Sequence, residues 1–566
     1  MTFVSLDAAA SWVAVLAFFA VILKPVGRYM GRVFTGQRTL LDPVFSPLER
    51  RLWRWAGIDP QASMTAVQYG TALLATNALW AVFAYLALRA QSHLPFNPQH
   101  FPGLTPPLAF NTAVSFVTNT NWQAYAGENT LSYFSQFGVL GFLQWVSPAV
   151  GLAALAAFLR ALAGRSLGNY FVDLTRAITR LLLPAAVVLA VVLAALGVPE
   201  TLAAYVHLHP LSGGSTWLPR GPIASWEAIE HLGTNGGGFT AANSANPLEN
   251  PSPLTNLLEI AAMGLFPVAS FYAFGYVTGR PRAAWTLIAV AAAFYLAMLA
   301  LAYFPEVAGN PVLNRLGLHG TANWVGKELR FGIGGSALFQ ASSLAFTTGS
   351  VNAAPDSMVP LSTLSLFLGL LLNMVFGGDG VGLLNFLMFV ILTVFLLGLM
   401  VGRTPEFLGK KIETREVSLT ALAFLVHPLL ILGATALAVS LPAVHDTLNR
   451  GPQGLTEILY GFASTAANNG SAMGGLEAGA PFYLWATGVV MLIGRYVSIL
   501  LLLLVGESLL AKKAVPESPG TMHTDTPLFG GALFGAILVL NALTFLPVMA
   551  LGPVAETYLL GAHRLF

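Results

Sequence analysis

Cysteine is absent from this chain of 566 residues, and charged residues make up only 9% of it. Without cysteine there is no disulfide framework, no thiolate metal site and no thiol nucleophile. A soluble domain carries about a quarter charged residues, so the low charge excludes an ordinary soluble protein. The 10 histidines follow no HExxH or similar metal-binding spacing.

Two motifs of ATP-driven proteins are also missing. The chain has neither a GxxxxGK[ST] loop, which holds nucleotide phosphates, nor a DKTGT-type sequence around a phosphorylated aspartate. We therefore expect no catalytic site in this chain, and any ATP chemistry must come from a partner. The alternative of a membrane-embedded enzyme would need converging acids, bases or metal ligands. His207 and His209, in one predicted loop, are better explained as solvated.

Hydrophobic residues make up 55% of the chain, and its mean hydropathy is +0.70. Apolar runs of about 20 residues can cross a bilayer as helices. The sequence predicts ten spans, at residues 8–30, 64–89, 131–160, 174–197, 255–278, 283–304, 361–402, 418–440, 481–510 and 529–552. The seventh is too long for one straight crossing. It contains the glycine-rich segment 376–382, so we expect a helix that is broken within the membrane.

Four short polar segments interrupt the apolar sequence at nearly equal intervals. They are Thr118–Asn121, Thr234–Gly237, Thr347–Ser350 and Asn468–Ser471. The intervals between Asn121, Gly236, Gly349 and Gly470 are 115, 113 and 121 residues, which indicates a fourfold internal repeat. A predicted helix of about a dozen residues or fewer, too short to span a bilayer, precedes each segment. The short helices are predicted at 106–117, 225–232, 336–346 and 455–466, beginning near Pro106, Ser225, Ser336 and Thr456.

Polar loops at membrane depth are tolerated where they line a water-filled path, so the four segments predict one ion selectivity filter. Backbone carbonyls that replace water around a large monovalent cation need some residues with positive φ, which glycine and asparagine adopt most easily. No carboxylate lies in any segment, which argues against a calcium site. The alternative is four ordinary turns between helices. The candidate filter residues are Asn119, Thr120, Asn121, Thr234, Asn235, Gly236, Thr347, Thr348, Gly349, Asn468, Asn469 and Gly470.

Charged residues near the filters provide further candidates. Glu128, Asp356 and Glu477 each come seven residues after the equivalent point, and they predict an acidic ring that concentrates cations at an outer vestibule. Independent solvated loop acids are the alternative. Arg495 falls within the ninth span, where a charge is expensive and usually functional, and we interpret it as a barrier to passive leak. Alternatively it is a structural arginine, paired with a buried acid such as Asp379 or with helix-end carbonyls.

Lysine and arginine concentrate in alternate loops, chiefly at 24–54, 160–180 and 403–415. Basic loops stay on the cytoplasmic side, which predicts that the filters and both termini face outside. The predicted divisions are an N-terminal helix with a basic cytoplasmic loop (1–60), repeat 1 (61–165, filter 118–122), repeat 2 (166–279, filter 233–238), repeat 3 (280–416, filter 347–352, broken helix near 376–382), repeat 4 (417–512, filter 467–471) and a C-terminal helix (513–566).

Long segments of the chain resemble one known family. The segments Ser115–Gln123, Gly233–Phe239, Ala242–Pro251, Gly402–Glu413 and Ala466–Ala472 are similar to the filters and cytoplasmic signature of the KdpA-type, potassium-binding subunit of the bacterial Kdp pump. The resemblance covers nearly the whole chain. It implies an all-α polytopic membrane protein of about ten helices, with four membrane–pore–membrane repeats around a pseudo-fourfold pore and one extra helix at each end.

The resemblance also implies a function and partners. The chain would select K+ on the extracytoplasmic side of the bacterial inner membrane and pass it to a KdpB-like P-type ATPase subunit, which alone uses ATP. Small KdpC- and KdpF-like subunits would complete the complex. Gln123, Asp379 and Arg495 are the candidate pore or gating residues. A self-sufficient potassium channel or symporter of the same superfamily is the nearest alternative.

Two positions depart from the family's pattern. Thr348 stands where the third filter usually has cysteine, a mild change because the carbonyl binds the ion. Asn373 stands where a glutamate usually precedes the broken-helix glycines, and Asp379 follows six residues later. A gating acid therefore cannot be carried over directly, although Asp379 is a candidate replacement.

Overall fold

The computed structural model describes residues 4–211, 213–318, 322–402, 404–441, 447–513 and 523–562. These ranges are mostly helical and contain ten helices long and apolar enough to cross a membrane. The predicted all-α polytopic fold is thereby confirmed. Arg403, part of the basic segment and signature described above, lies outside the described residues.

The first half of the chain contains two repeats and the helix that precedes them. Its helices are α1 (Leu6–Phe34), α2 (Asp42–Trp55), α3 (Ala66–Arg89), α4 (Pro106–Val117), α5 (Gly127–Thr130), α6 (Phe142–Leu162), α7 (Tyr170–Arg176), α8 (Leu183–Ala195), α9 (Ile223–Leu232) and α10 (Pro253–Thr278). Two π-helical segments, Phe134–Gly141 and Ala177–Leu182, run directly into α6 and α8. A small hairpin of β1 (Val206–Leu208) and β2 (Thr216–Leu218) pairs His207 with Trp217 between α8 and α9.

The second half contains the other two repeats and the final helices. Its helices are α11 (Pro281–Ala308), α12 (Pro311–Arg315), α13 (Gly332–Ala345), α14 (Pro360–Leu372), α15 (Val381–Val401), α16 (Thr414–Ser440), α17 (Gly451–Ala467), α18 (Pro481–Leu510), α19 (Pro527–Leu551) and α20 (Pro553–Gly561). A second hairpin, of β3 (Glu406–Phe407) and β4 (Lys410–Lys411), joins α15 to α16.

The four short helices are α4, α9, α13 and α17, and three of them begin earlier than the sequence predicts. Ser225, Ser336 and Thr456 lie inside helices that start at Ile223, Gly332 and Gly451. Proline marks two of these starts, and in α17 its fixed φ suits the first helical turn. Pro222 precedes α9, and Pro452 lies in the first turn of α17.

The helices that follow the filters occupy the centre of the molecule. In their most apolar stretches, 89% of Phe134–Leu162 and 72% of α10 are buried, against 22% of α1 and of α3. A helix that is apolar all round and buried belongs to a protein core, whereas an apolar exposed one contacts lipid. The post-filter helices therefore line the central region, and the terminal and pre-filter helices lie closer to the lipid.

The seventh predicted span is two helices joined by an irregular loop. Helix α14 ends at Leu372, Asn373 adopts a left-handed cap with φ of 45°, and α15 begins at Val381. A β-carbon on Gly380 would lie closer than 3.0 Å to backbone atoms of Gly151 in α6. Glycine is required here because the loop touches the backbone of a post-filter helix.

Candidate ion-binding site

Each filter loop leaves its short helix through the same backbone hydrogen bonds. The N–H of the second filter residue donates to the carbonyl oxygen five residues earlier. The donor and acceptor pairs are Thr120 and Ser115 (3.0 Å), Asn235 and Glu230 (2.8 Å), Thr348 and Ser343 (2.8 Å), and Asn469 and Ser464 (2.9 Å). The four loops therefore have one local backbone structure, although their sequences differ.

The first filter residue has a left-handed φ in every repeat. The values are 65° for Asn119, 48° for Thr234, 52° for Thr347 and 56° for Asn468. Such a φ in a β-branched residue is a genuine outlier that costs about 1–3 kcal/mol, so the surrounding structure must hold both threonines. Two residues later, Asn121, Gly349 and Gly470 also have positive φ, but Gly236 does not. The backbone angle at position 236 would allow other residues, but the space around it admits only glycine.

Main-chain atoms of the four loops meet. A β-carbon on Gly236 would lie closer than 3.0 Å to backbone atoms of Asn469, Gly470 and Thr120. One on Gly349 would overlap the backbone of Asn469 and Gly236 in the same way. These contacts join loop 2 to loops 1 and 4, and loop 3 to loops 2 and 4. The arrangement brings carbonyl oxygens from separate repeats to one place.

Asn119 connects the first two filters. Its Nδ2 donates to the carbonyl oxygens of Gly233 (3.2 Å) and Thr234 (3.0 Å). The Ser147 hydroxyl in α6 donates to Asn119 Oδ1 at 2.9 Å. Both ends of the amide are thus satisfied, which fixes loop 1 against loop 2.

Three more side chains hold the filter loops through hydrogen bonds. Asn468 Nδ2 donates to Thr120 Oγ1 at 2.9 Å, which joins loops 4 and 1. Gln123 Nε2 donates to the Gly238 carbonyl at 2.8 Å, so this candidate gating residue holds the end of filter 2. The Thr347 hydroxyl, in filter 3, donates to Asn373 Oδ1 at 3.2 Å.

Several of the remaining polar side chains of the filters are buried and have polar atoms without a hydrogen-bond partner among the described residues. Both amide atoms of Asn121, the Thr348 hydroxyl and Asn235 Oδ1 have no hydrogen-bond partner among the described residues. Buried polar atoms are rarely left unpaired. These atoms could bind water or an ion alongside the main-chain oxygens.

The electrostatic setting of the loops favours a cation. All four short helices direct their C-terminal ends into the filters, at Val117, Leu232, Ala345 and Ala467. Each such end carries a partial negative charge of about half an electron. The filters themselves contain no carboxylate. The site can therefore attract a cation without supplying the full charges that a divalent hard ion requires.

Asp379 and Arg495 lie next to this assembly without forming an ion pair. The Asp379 N–H donates to the Thr234 hydroxyl at 3.0 Å, while both oxygens of its buried carboxylate accept no hydrogen bond among the described residues. Arg495 Nη2 donates to the Ser147 carbonyl at 2.9 Å. A β-carbon on Gly151 would contact both Asp379 and Arg495. Arg495 therefore interacts with a carbonyl inside α6, and its role as a barrier or as a structural arginine stays a prediction.

A cavity of about 30 Å³ lies beside the filters, between the broken helix and helices α16, α18 and α19. Its lining includes Asn373, Asn385, His427, Asn468 and Asn541. A cavity needs roughly 10–15 Å³ and several polar partners to hold one water. This space is large and polar enough for water.

The three candidate vestibule acids lie in post-filter segments, and two of them contact neighbouring repeats. Glu128 Oε2 accepts from the Ala241 N–H at 2.9 Å, in the loop that follows filter 2. Asp356 is half-buried, and a β-carbon on Gly474 of repeat 4 would lie 3.2 Å from its Oδ2. Glu477 is exposed. The ring of these acids therefore stays a proposal.

The geometry can be compared with known proteins. The KdpA family model, described as the potassium-transporting ATPase A subunit, matches residues 13–558. The chain belongs to the KdpA family. It is 50% identical to the potassium-transporting ATPase potassium-binding subunit of Alicyclobacillus acidocaldarius, over 97% of this chain and 99% of that protein. The protein of the same description from Delftia acidovorans is 47% identical over 96% of each chain.

A solved structure has the same fold at low sequence identity. The potassium transporter TrkH from Vibrio parahaemolyticus superposes with a TM-score of 0.51 and 16% identity, over 77% of this chain and 84% of that chain. Such a likeness shows the fold alone. It agrees with the helical membrane architecture described above.

One buried group of residues was not anticipated from the sequence. Glu227, Glu230 and His231 in α9, with Glu249 and Glu259, are all fully buried behind filter 2. Burial raises the pKa of Glu249 to about 7, although hydrogen bonds from Thr240 act in the opposite direction. The internal repeat contains the signal that could have revealed the group, because Ser115, Ser343 and Ser464 occupy the positions equivalent to Glu230.

Proposed function

We propose that this chain binds and selects K+ through the four-loop filter and passes it to a P-type ATPase subunit for ATP-driven uptake. The observation that carries the proposal is the contact of main-chain atoms from all four loops at Gly236, Gly349 and Gly470. Carbonyl oxygens that meet in this way can replace the hydration shell of a monovalent cation. The relatives named as potassium-binding subunits support K+ as the ion.

The proposed K+ ligands are the main-chain oxygens of the candidate filter residues. Side-chain amides and hydroxyls at Asn119, Asn468 and Thr347 hold the loops in place through the bonds described above. The proposed resting position of the ion follows from the helix ends, whose partial negative charges converge there. No change of protonation is needed for binding.

The proposed next step moves K+ from the filter to the partner. The small polar cavity beside Asn373 and Asn468 offers a place where the ion regains water. The fixed charge of Arg495 would oppose a cation that crosses the remaining membrane thickness. Asp379, bonded through its N–H to Thr234, would report filter occupancy to the broken helix. ATP hydrolysis takes place on the partner subunit, since this chain lacks the required motifs.

The proposed setting is a multi-pass subunit of the bacterial inner membrane, with the filters and both termini outside. The uneven distribution of lysine and arginine supports that orientation. The proposed partners are a KdpB-like catalytic subunit and small KdpC- and KdpF-like subunits. A self-sufficient potassium channel or symporter is the alternative.

One experiment distinguishes the two candidates. The chain is expressed with the adjacent genes of its own operon, and the purified assembly is assayed for ATPase activity against K+ and Na+. The proposal predicts that a P-type ATPase subunit co-purifies and that K+, but not Na+, stimulates hydrolysis. A chain that purifies alone and carries K+ into liposomes without ATP would instead support the channel or symporter.

A further inference from the structure

The second short helix has ionisable side chains at three positions where the equivalent residues of the other three short helices are not ionisable. Helix α9 has Glu227, Glu230 and His231, at spacings i, i+3 and i+4 that lie on one helix face. The equivalent residues are Thr112, Ser115 and Phe116 in repeat 1, Gln340, Ser343 and Leu344 in repeat 3, and Gly461, Ser464 and Thr465 in repeat 4. All four loops share the hydrogen bond from the N–H of the second filter residue, so that bond does not explain these charges.

Two more carboxylates face the same space from other elements. Glu259 comes from α10 and Glu249 from the loop that precedes it, and all five side chains are fully buried. Both oxygens of Glu227 and of Glu259, and Oε2 of Glu230 and of Glu249, have no hydrogen-bond partner among the described residues. Buried carboxyl groups are normally paired, protonated or bound to a metal, so these six oxygen atoms are available to a ligand.

The imidazole of His231 is oriented as a metal ligand would be. Its Nδ1 lies 2.8 Å from the Glu227 carbonyl oxygen, which can only accept, so Nδ1 carries the proton. Ligating histidines commonly donate their second ring N–H to a backbone carbonyl in this way. The lone pair of Nε2 then faces Glu259 Oε2, 3.6 Å away, and the hydroxyls of Ser244 and Ser350, whereas Nδ1 lies 3.6 Å from Glu227 Oε2.

The candidate donor atoms lie close together. The ligand atoms of Glu227, Glu230 and His231 all lie within 4.8 Å of one another. Two donors bound tetrahedrally at about 2.1 Å would be roughly 3.4 Å apart, close to the 3.6 Å between His231 Nε2 and Glu259 Oε2. Imidazole with carboxylates is a donor set for Zn²⁺ and related first-row ions, and differs from the all-oxygen sets of Mg²⁺ and Ca²⁺.

We propose that Glu227, Glu230, His231 and Glu259 bind a divalent first-row transition-metal cation, with Zn²⁺ the best fit, behind the second filter. This site is distinct from the proposed K+ path, and its occupant is structural. The Glu230 carbonyl accepts the Asn235 N–H of filter 2 at 2.8 Å. An ion bound here would therefore fix the one short helix that carries glutamate at a position where the other three carry serine.

The test measures metal in the purified full-length assembly, prepared without added metal or chelator, by elemental mass spectrometry. The proposal predicts one equivalent of a first-row divalent metal per chain, and an anomalous-scattering peak for zinc between Glu227, Glu230 and His231 in crystals. Removal by a strong chelator should lower the melting temperature, and added Zn²⁺ should restore it. A preparation that holds no such metal and shows no melting shift with Zn²⁺ or Mn²⁺ would overturn the proposal, as would occupancy by K+ alone.

Variants add a second criterion. Glu259→Gln and His231→Gln should lose the metal, whereas Glu457→Gln should retain it. Glu457 is an apt control because it is a buried glutamate of another short helix whose Oε1 accepts a hydrogen bond from Asn449. Full metal content in both test variants would contradict the assignment. If the variants do not assemble, the metal content and chelator response of the wild-type assembly decide the question.

Discussion

Gly236 lies so close to the main-chain oxygen of Asn469 that a β-carbon at position 236 would overlap it. The two residues belong to repeats 2 and 4, which are separated by more than two hundred positions in the sequence. Their contact means that the internal repeat is also a spatial one. A residue that only terminated a helix would not need this closeness.

The first prediction concerns that contact. Gly236→Ala should reduce the apparent K+ affinity of the purified assembly at least tenfold, because backbone atoms of three residues must move to admit one methyl group. The measurement is K+-stimulated ATPase activity as a function of K+ concentration. Gly433→Ala is the matched control, since a β-carbon on Gly433 of α16 meets nothing within 4 Å. Equal affinity in the two variants would contradict the filter assignment.

The second prediction concerns Thr234, whose hydroxyl accepts the N–H of Asp379 at 3.0 Å. Thr234→Val keeps the shape but leaves that N–H unpaired, at a cost of about 1–3 kcal/mol. We expect a lower melting temperature and slower turnover. Thr234→Ser keeps the hydroxyl and removes the β-branch from a residue with φ of 48°, so it should retain full activity. The idea fails if both variants behave alike.

The third prediction concerns the proposed barrier at Arg495. In proteoliposomes without ATP, Arg495→Met should raise passive Rb+ flux because it removes a fixed positive charge within the membrane. Arg495→Lys should restrict the flux better than methionine, since it retains the charge. If the methionine variant is as tight as the wild type, Arg495 is structural and its bond to the Ser147 carbonyl explains its presence.

The fourth prediction concerns the acidic ring. Neutralising Glu128, Asp356 and Glu477 together, as Gln, Asn and Gln, should lower uptake when external K+ and ionic strength are both low. High salt should remove the difference, because screening shortens the reach of surface charges to about a Debye length. Uptake measured at two salt concentrations tests this. Unchanged apparent affinity at low salt would reject the ring.

The sequence predicts the local elements well, because their causes are local. Apolar runs mark the ten spans, the period of the polar segments predicts the repeats, and most of the glycine-rich segment 376–382 lies in the loop between α14 and α15. Helices α9 and α17 start upstream of Ser225 and Thr456, directly after Pro222 and with Pro452 in the first turn of α17, where its fixed φ suits the helix.

The remainder depends on how distant segments meet, which a linear pattern does not specify. The packing of α6 brings Ser147 to Asn119, which in turn donates a hydrogen bond to filter 2. Glu249 and Glu259 join Glu227 only because the loop before α10 returns behind α9. Comparison among the repeats could have shown that Glu230 is unusual, but not which residues surround it.

The account depends most on K+ bound by main-chain oxygens of all four loops. The most direct measurement is a high-resolution density map of the assembly in K+, compared with one in Tl+, whose scattering identifies the ion. The account predicts a thallium-sensitive peak surrounded by the loops at Thr120, Gly236, Gly349 and Asn469. A map in which that position is empty or filled by a side chain, with the ion bound elsewhere, would contradict it.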